Sequence, residues 1–117
     1  MMDEKKLLQT VVEACEDRKA ENCVVLDMQN LTPVADYFVI CHGNNERQVQ
    51  AIARSVKESL EENEQNVKRF EGLDQARWVL IDAGAIICHI FHKDERSYYN
   101  LERLWGDATE IQVGDID

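Results

Sequence analysis

Three carboxylates, Asp36, Glu71 and Asp82, stand at the borders of apolar runs, where strand ends commonly carry acid–base or Mg²⁺ chemistry. Neither Asp36 nor Asp82 has a second aspartate two residues away, so a paired-carboxylate site would need convergence from distant parts of the chain. Gly43-Asn44-Asn45 lies between an apolar run and a helical pattern, a place where backbone N–H groups can meet phosphate. The chain has neither the Gly-x-x-x-x-Gly-Lys string of a phosphate loop nor the Gly-x-Gly-x-x-Gly of a dinucleotide fold. The turn therefore reads first as a helix cap.

His89 and His92 flank a strand that also holds Cys88. Alternation sends Cys88 and His89 to opposite faces, and three residues along an extended chain again reverses the side, so no metal site is built locally. His89, polar among Ile86, Ile87, Ile90 and Phe91, reads as a hydrogen-bonded core histidine or as a group facing a partner. Cys15, Cys23, Cys41 and Cys88 contain no Cys-x-x-Cys and read as reduced, core-forming thiols. No serine or cysteine nucleophile arrangement is recognisable. Trp78, Tyr98, Tyr99 and Trp105 are residue types enriched in protein–protein hot spots.

These side chains need a scaffold. Leu7, Leu8, Val11, Val12 and Cys15 fall at helical spacing within residues 3–20, and Val49, Ile52, Ala53, Val56 and Leu60 do so within 45–63. Residues 23–27 and 37–41 read as buried strands joined by an ordered loop, and 67–70 as a short charged strand. Residues 78–82 and 85–91, separated by Ala83-Gly84, read as an antiparallel hairpin. A final helix over 95–105, capped by Asp94 and closed by Gly106, would place Tyr98, Leu101 and Trp105 on one face with Tyr99 beside them. The order of elements predicts one α/β domain over 1–107 with a mixed five-stranded sheet flanked by helices, containing parallel crossovers and the hairpin. The acidic segment 108–117, without a basic residue, is expected to fray as a flexible tail.

Length and charge bound the function. At 117 residues the chain has room for one domain, and 13 Lys and Arg against 23 Asp and Glu leave a net charge of −10. Basic residues never run beyond pairs, so little direct nucleic-acid binding is expected, and a basic protein partner suits the field better. With no long apolar stretch and no signal-like N-terminus, the chain reads as cytoplasmic and without a membrane partner.

Several separated strings, in order, resemble the Iojap family, the ribosomal silencing factors. They are Asp36-Tyr37-Phe38-Val39-Ile40-Cys41-His42-Gly43, Glu71-Gly72, Trp78-Val79-Leu80-Ile81-Asp82-Ala83-Gly84, His89-Ile90-Phe91 and Arg96-x-x-Tyr99-x-Leu101-Glu102-x-Leu104-Trp105. The resemblance covers about residues 5–107. The chain departs at two places: Asn44-Asn45 stand where the family commonly has Ser or Thr after the glycine, and Ala85 where it usually has Asp. The resemblance implies a nucleotidyltransferase-like fold without catalysis, cofactor or metal. It implies binding to the large ribosomal subunit through that subunit's protein fourteen, blocking small-subunit joining and repressing translation when nutrients are scarce. The neighbourhood of Trp78, Asp82, His89, Arg96, Tyr99, Glu102 and Trp105 would then dock on the partner. Two other readings stay open: a small nucleotidyltransferase or phosphoryl-transfer enzyme using Gly43, Asp36 and Asp82 around Mg²⁺, and a homodimer formed through the same aromatic surface.

Overall fold

The computed structural model describes residues 3–116. Its elements are α1 (Glu4–Asp17), β1 (Glu21–Asp27), β2 (Tyr37–Gly43), α2 (Glu46–Glu62), β3 (Arg69–Glu71), β4 (Trp78–Asp82), β5 (Ile86–His92), α3 (Lys93–Tyr99), α4 (Leu101–Leu104) and β6 (Thr109–Ile111), followed by a 3₁₀ turn, Val113–Asp115. Both long helices start at side-chain caps. The Asp3 carboxylate accepts the Lys6 N–H at 2.8 Å, and the Asn45 side chain accepts the Gln48 N–H at 2.8 Å, satisfying amides that the first turn leaves unpaired. The apolar stripes expected from spacing are the buried ones.

The sheet has the order β3-β4-β5-β2-β1-β6. Only β2 and β5 pair in parallel, with Val39 opposite Cys88, and every other neighbour is antiparallel. The expected hairpin is present, with Trp78 opposite Phe91 and Asp82 opposite Ile87. Strand alternation divides the interior in two. Val25, Val39, Cys41, Val79, Ile81, Ile86, Cys88 and Ile90 meet α1 and α2, while Phe38, Ile40, Ile87, Phe91 and Leu101 form a second core on the opposite face, beneath α3 and α4. Across the first core the Ser55 hydroxyl donates to the Ala14 carbonyl at 2.9 Å and ties α2 to α1.

Three expectations need correction. The sheet has six strands rather than five, because Thr109–Ile111, in the segment read as a fraying tail, pair antiparallel with Val25–Asp27. Beyond β6, Ile116 is buried in the α1 core and its carbonyl accepts from the Gln9 side chain. The sheet has one parallel pair where more were expected. Finally, the last helix is not continuous: Asn100 adopts φ 46° and ψ 58°, a left-handed conformation that ends α3 and restarts the chain as α4.

Candidate docking surface

The face carrying α3 and α4 gathers most of the aromatic side chains. Cross-strand pairing sets Trp78 over Phe91, ring centroids 5.1 Å apart, and α3 brings Tyr99 to 4.7 Å from Trp78. Trp105, just after α4, meets Phe38 edge-on at 6.2 Å, and Phe38 in turn meets His89 at 4.7 Å. Gly72 lets Trp78 sit there: at φ +92° a Cβ on Gly72 would lie 2.1 Å from the Trp78 carbonyl oxygen.

His89 is the polar centre of this cluster, with 5% of its surface exposed. The Trp78 indole N–H donates to His89 Nδ1 at 3.1 Å. Since Nδ1 accepts, the neutral ring carries its proton on Nε2. Nε2 has no partner and is the one buried side-chain polar atom so left among the described residues. Burial lowers the His89 pKa from 6.5 to about 4, so the ring is neutral at pH 7.

Around this floor the surface is open and carries exposed aromatic and aliphatic side chains among polar ones. Tyr98 is 78% exposed, Leu104 69% and Tyr99 43%. A groove runs between Ser97, Tyr98, Tyr99, Asn100, Arg103 and Leu104, and a second hollow is lined by Glu71, Gly72, Trp78 and Leu80. The break at Asn100 overturns the expectation that Tyr98 shares a face with Leu101 and Trp105: Leu101 is buried in the core and Tyr98 projects outward.

Arg96 and Glu102 are brought together, but inward. Arg96 is 7% exposed, and its Nε and Nη2 donate to the two Glu102 carboxylate oxygens at 3.0 and 3.2 Å, a bidentate pair spanning α3 and α4. The remaining guanidinium nitrogen lies 2.9 Å from His42 Nδ1 and donates to the Glu21 carbonyl at 3.4 Å, fastening α3 to β1 and β2. Burial and the adjacent Arg96 charge lower the His42 pKa, against an opposing pull from Glu21. Sequence reasoning singled out neither His42 nor Leu104, which entered it only as members of the Asp36–Gly43 and last-helix strings. Asp82 shares the face of Trp78 but sits four residues along β4, about 13 Å away. There its carboxylate accepts the Gly84 N–H at 2.8 Å and shapes the hairpin turn.

The alternative enzyme site is not assembled. β2 runs from Tyr37 to Gly43, so Gly43 lies roughly 20 Å from Asp36. The register Asp82 opposite Ile87, and Ile87 opposite Phe38, puts both aspartates at the end of the sheet away from Gly43. The α2 N-terminus is already occupied by its Asn45 cap, and the Gln48 side chain accepts the Asn44 N–H at 2.8 Å.

Comparisons with known proteins bear on the family and the fold. The family model described as "Ribosomal silencing factor during starvation" matches residues 1–117. The chain is 57% identical over 116 residues to "Ribosomal silencing factor RsfS" of Bacillus subtilis, covering 99% of this chain and 96% of the relative. It is 54% identical over 112 residues to the protein of the same name from Halalkalibacterium halodurans, with 96% of each covered. "Protein Iojap, chloroplastic" of Zea mays is 28% identical over 104 residues, covering 89% of this chain and 45% of that protein. A crystal structure of a Bacillus halodurans protein superimposes with a TM-score of 0.85 at 50% identity, covering 93% of this chain and 99% of the other. A Chromobacterium violaceum protein does so with 0.88 at 34% identity, covering 90% and 88%. With its motifs, its sheet and these relatives in accord, the chain belongs to the Iojap family of ribosomal silencing factors.

Proposed function

We propose that this protein binds the large ribosomal subunit through that subunit's protein fourteen and, by occupying the joining face, keeps the small subunit away. The observation that carries the reading is the aromatic floor of Trp78, His89, Tyr99 and Trp105, continued outward by exposed Tyr98 and Leu104. Large amphipathic rings on a rigid strand pair give contact area at little entropic cost, which is where binding energy concentrates. Arg96 and Glu102 serve as positioning residues that hold α3 and α4 against the sheet, and Asp82 fixes the far end of the hairpin. A net charge of −10 favours encounter with a basic ribosomal protein and disfavours direct contact with ribosomal RNA.

The mechanism needs occupancy and no catalytic step. A bound wedge excludes the small subunit sterically, so repression follows the fraction of large subunits occupied, and the site of action is the cytoplasm.

Gradient sedimentation with isolated large subunits, followed by addition of small subunits, tests this directly. Co-migration with the large subunit together with loss of joined ribosomes is expected. Joining at the normal level with the protein bound, or no co-migration at low salt, would discard the steric reading.

A further inference from the structure

The helix-side core contains a feature that docking does not use. Cys15 of α1, Cys23 of β1, Cys41 of β2 and Cys88 of β5 come from four elements and meet in one place. Alternation explains the convergence: Cys23 shares its face with Val25, Cys41 with Val39, and Val39 lies opposite Cys88 in the central parallel pair. Cys15 Sγ lies 3.9 Å from Cys88 Sγ, Cys41 belongs to the same buried cluster, and Cys23 packs against it. All four are free thiols.

They differ in access. Cys15, Cys41 and Cys88 are closed off from solvent, whereas Cys23 is partly exposed. The backbone supplies the opening, because β1 carries an irregularity between Glu21 and Val24, with Asn22 at φ 51°, and Cys23 stands in it. They also differ in charge setting. Hydrogen bonding with Cys15 and then Cys41, together with the positive field of Arg96 and His42, draws the Cys23 pKa below the ordinary thiol value against the opposing effect of burial. The same contacts push Cys15 and Cys41 upward. One accessible sulfur that favours the thiolate therefore rests against two that stay protonated.

We propose that this cluster is an oxidation site, in which Cys23 reacts with a hydroperoxide and Cys15 resolves the product into a Cys15–Cys23 disulfide joining α1 to β1. In the first step the Cys23 sulfur attacks the outer peroxide oxygen; an S–O bond forms, the O–O bond breaks, and the leaving alkoxide takes a proton to depart as an alcohol, or as water from hydrogen peroxide. In the second, the Cys15 sulfur attacks the sulfenic sulfur; the S–S bond forms, the S–O bond breaks, and hydroxide leaves as water with the Cys15 proton. Two thiols are oxidised by two electrons and one peroxide is reduced. Cys15 rather than Cys41 resolves because β2 is fixed by ladders on both sides, whereas α1 meets the sheet through side chains alone.

The test treats the full-length protein with a few equivalents of hydrogen peroxide, alkylates the remaining thiols under denaturing conditions and maps the peptides. The four thiols should fall to two, with the linkage between Cys15 and Cys23. Cys15→Ser should stop at a sulfenic acid on Cys23 that a cyclic dione traps, and Cys23→Ser should consume peroxide about tenfold more slowly or less. Four intact thiols in the peroxide-treated protein, a linkage that excludes Cys23, or a Cys23→Ser variant oxidised as fast as the parent would overturn the proposal. The peptide map of the unmodified protein decides the matter even where a variant fails to fold.

Discussion

His89 ties the acid stability of the protein to its aromatic face. Its pKa is about 4 in the folded chain against 6.5 ordinarily, so between those values the unfolded chain binds a proton that the folded one refuses. Stability is complete above about pH 6.5 and is lost as pH falls toward 4, by at most about 3 kcal/mol from this group. Glu4, raised to about 6 chiefly by its hydrogen bond with Asp36, acts in the opposite sense as pH falls, but it is largely open to solvent and its share is smaller. Urea melts at pH 5 and pH 7 should show the parent losing stability in acid and His89→Phe losing less of it; equal slopes would remove His89 as the cause. Docking makes separate predictions at this scale. Leu104 is 69% exposed, so Leu104→Glu should leave stability within about 0.5 kcal/mol while weakening large-subunit binding, as read by co-sedimentation. Trp78→Ala or Tyr99→Ala should weaken binding by about 1 to 4 kcal/mol, with circular dichroism confirming the fold; a folded variant that binds normally would move the interface elsewhere.

Among the elements, the pair of short helices α3 and α4 depends on one buried ion pair. Glu102→Gln leaves Arg96 charged and 7% exposed without its bidentate partner. The expected cost is about 2 to 3 kcal/mol, less than for a fully buried pair because the Glu102 side chain is 34% exposed. It should appear as a lower urea midpoint together with weaker binding, since α3 carries Tyr98 and Tyr99. An unchanged midpoint would mean that packing alone holds these helices. This is also where sequence reading loses its grip. α1, α2 and the β4–β5 hairpin follow from period and caps alone, because each has an apolar stripe and a defined end. The residues from 95 to 105 keep a helical period through a left-handed Asn100, whose short amide side chain accepts the Arg103 N–H at 3.3 Å and leaves no mark in the hydrophobic pattern. Thr109–Ile111 likewise has no apolar run, and its strand exists only because the outer edge of β1 is there to pair with it. The aromatic docking candidates were readable by residue type, but the partition into buried clamp, ring floor and exposed rim was not, because it depends on that same break.

For the whole molecule, the excess of 10 negative charges over 117 residues acts at long range. Association with large subunits should slow as ionic strength rises from about 0.05 to 0.3 M, with dissociation much less affected, as stopped-flow or surface-binding kinetics would measure. An on-rate insensitive to salt would leave docking to the apolar rings alone. The two-sided core has a related effect on how function and stability divide: α1 and α2 close one face of the sheet with aliphatic packing, leaving the other face free to carry large rings near its surface.

The sheet ends on both sides in strands of three residues, β3 and β6. A free edge that short offers few backbone hydrogen bonds to an incoming strand, and the β3 edge is further marked by the outward Arg69–Glu71 pair at 2.8 Å. Growth of the sheet from molecule to molecule, the usual route to fibrils and tangled aggregates, is thereby starved of a template.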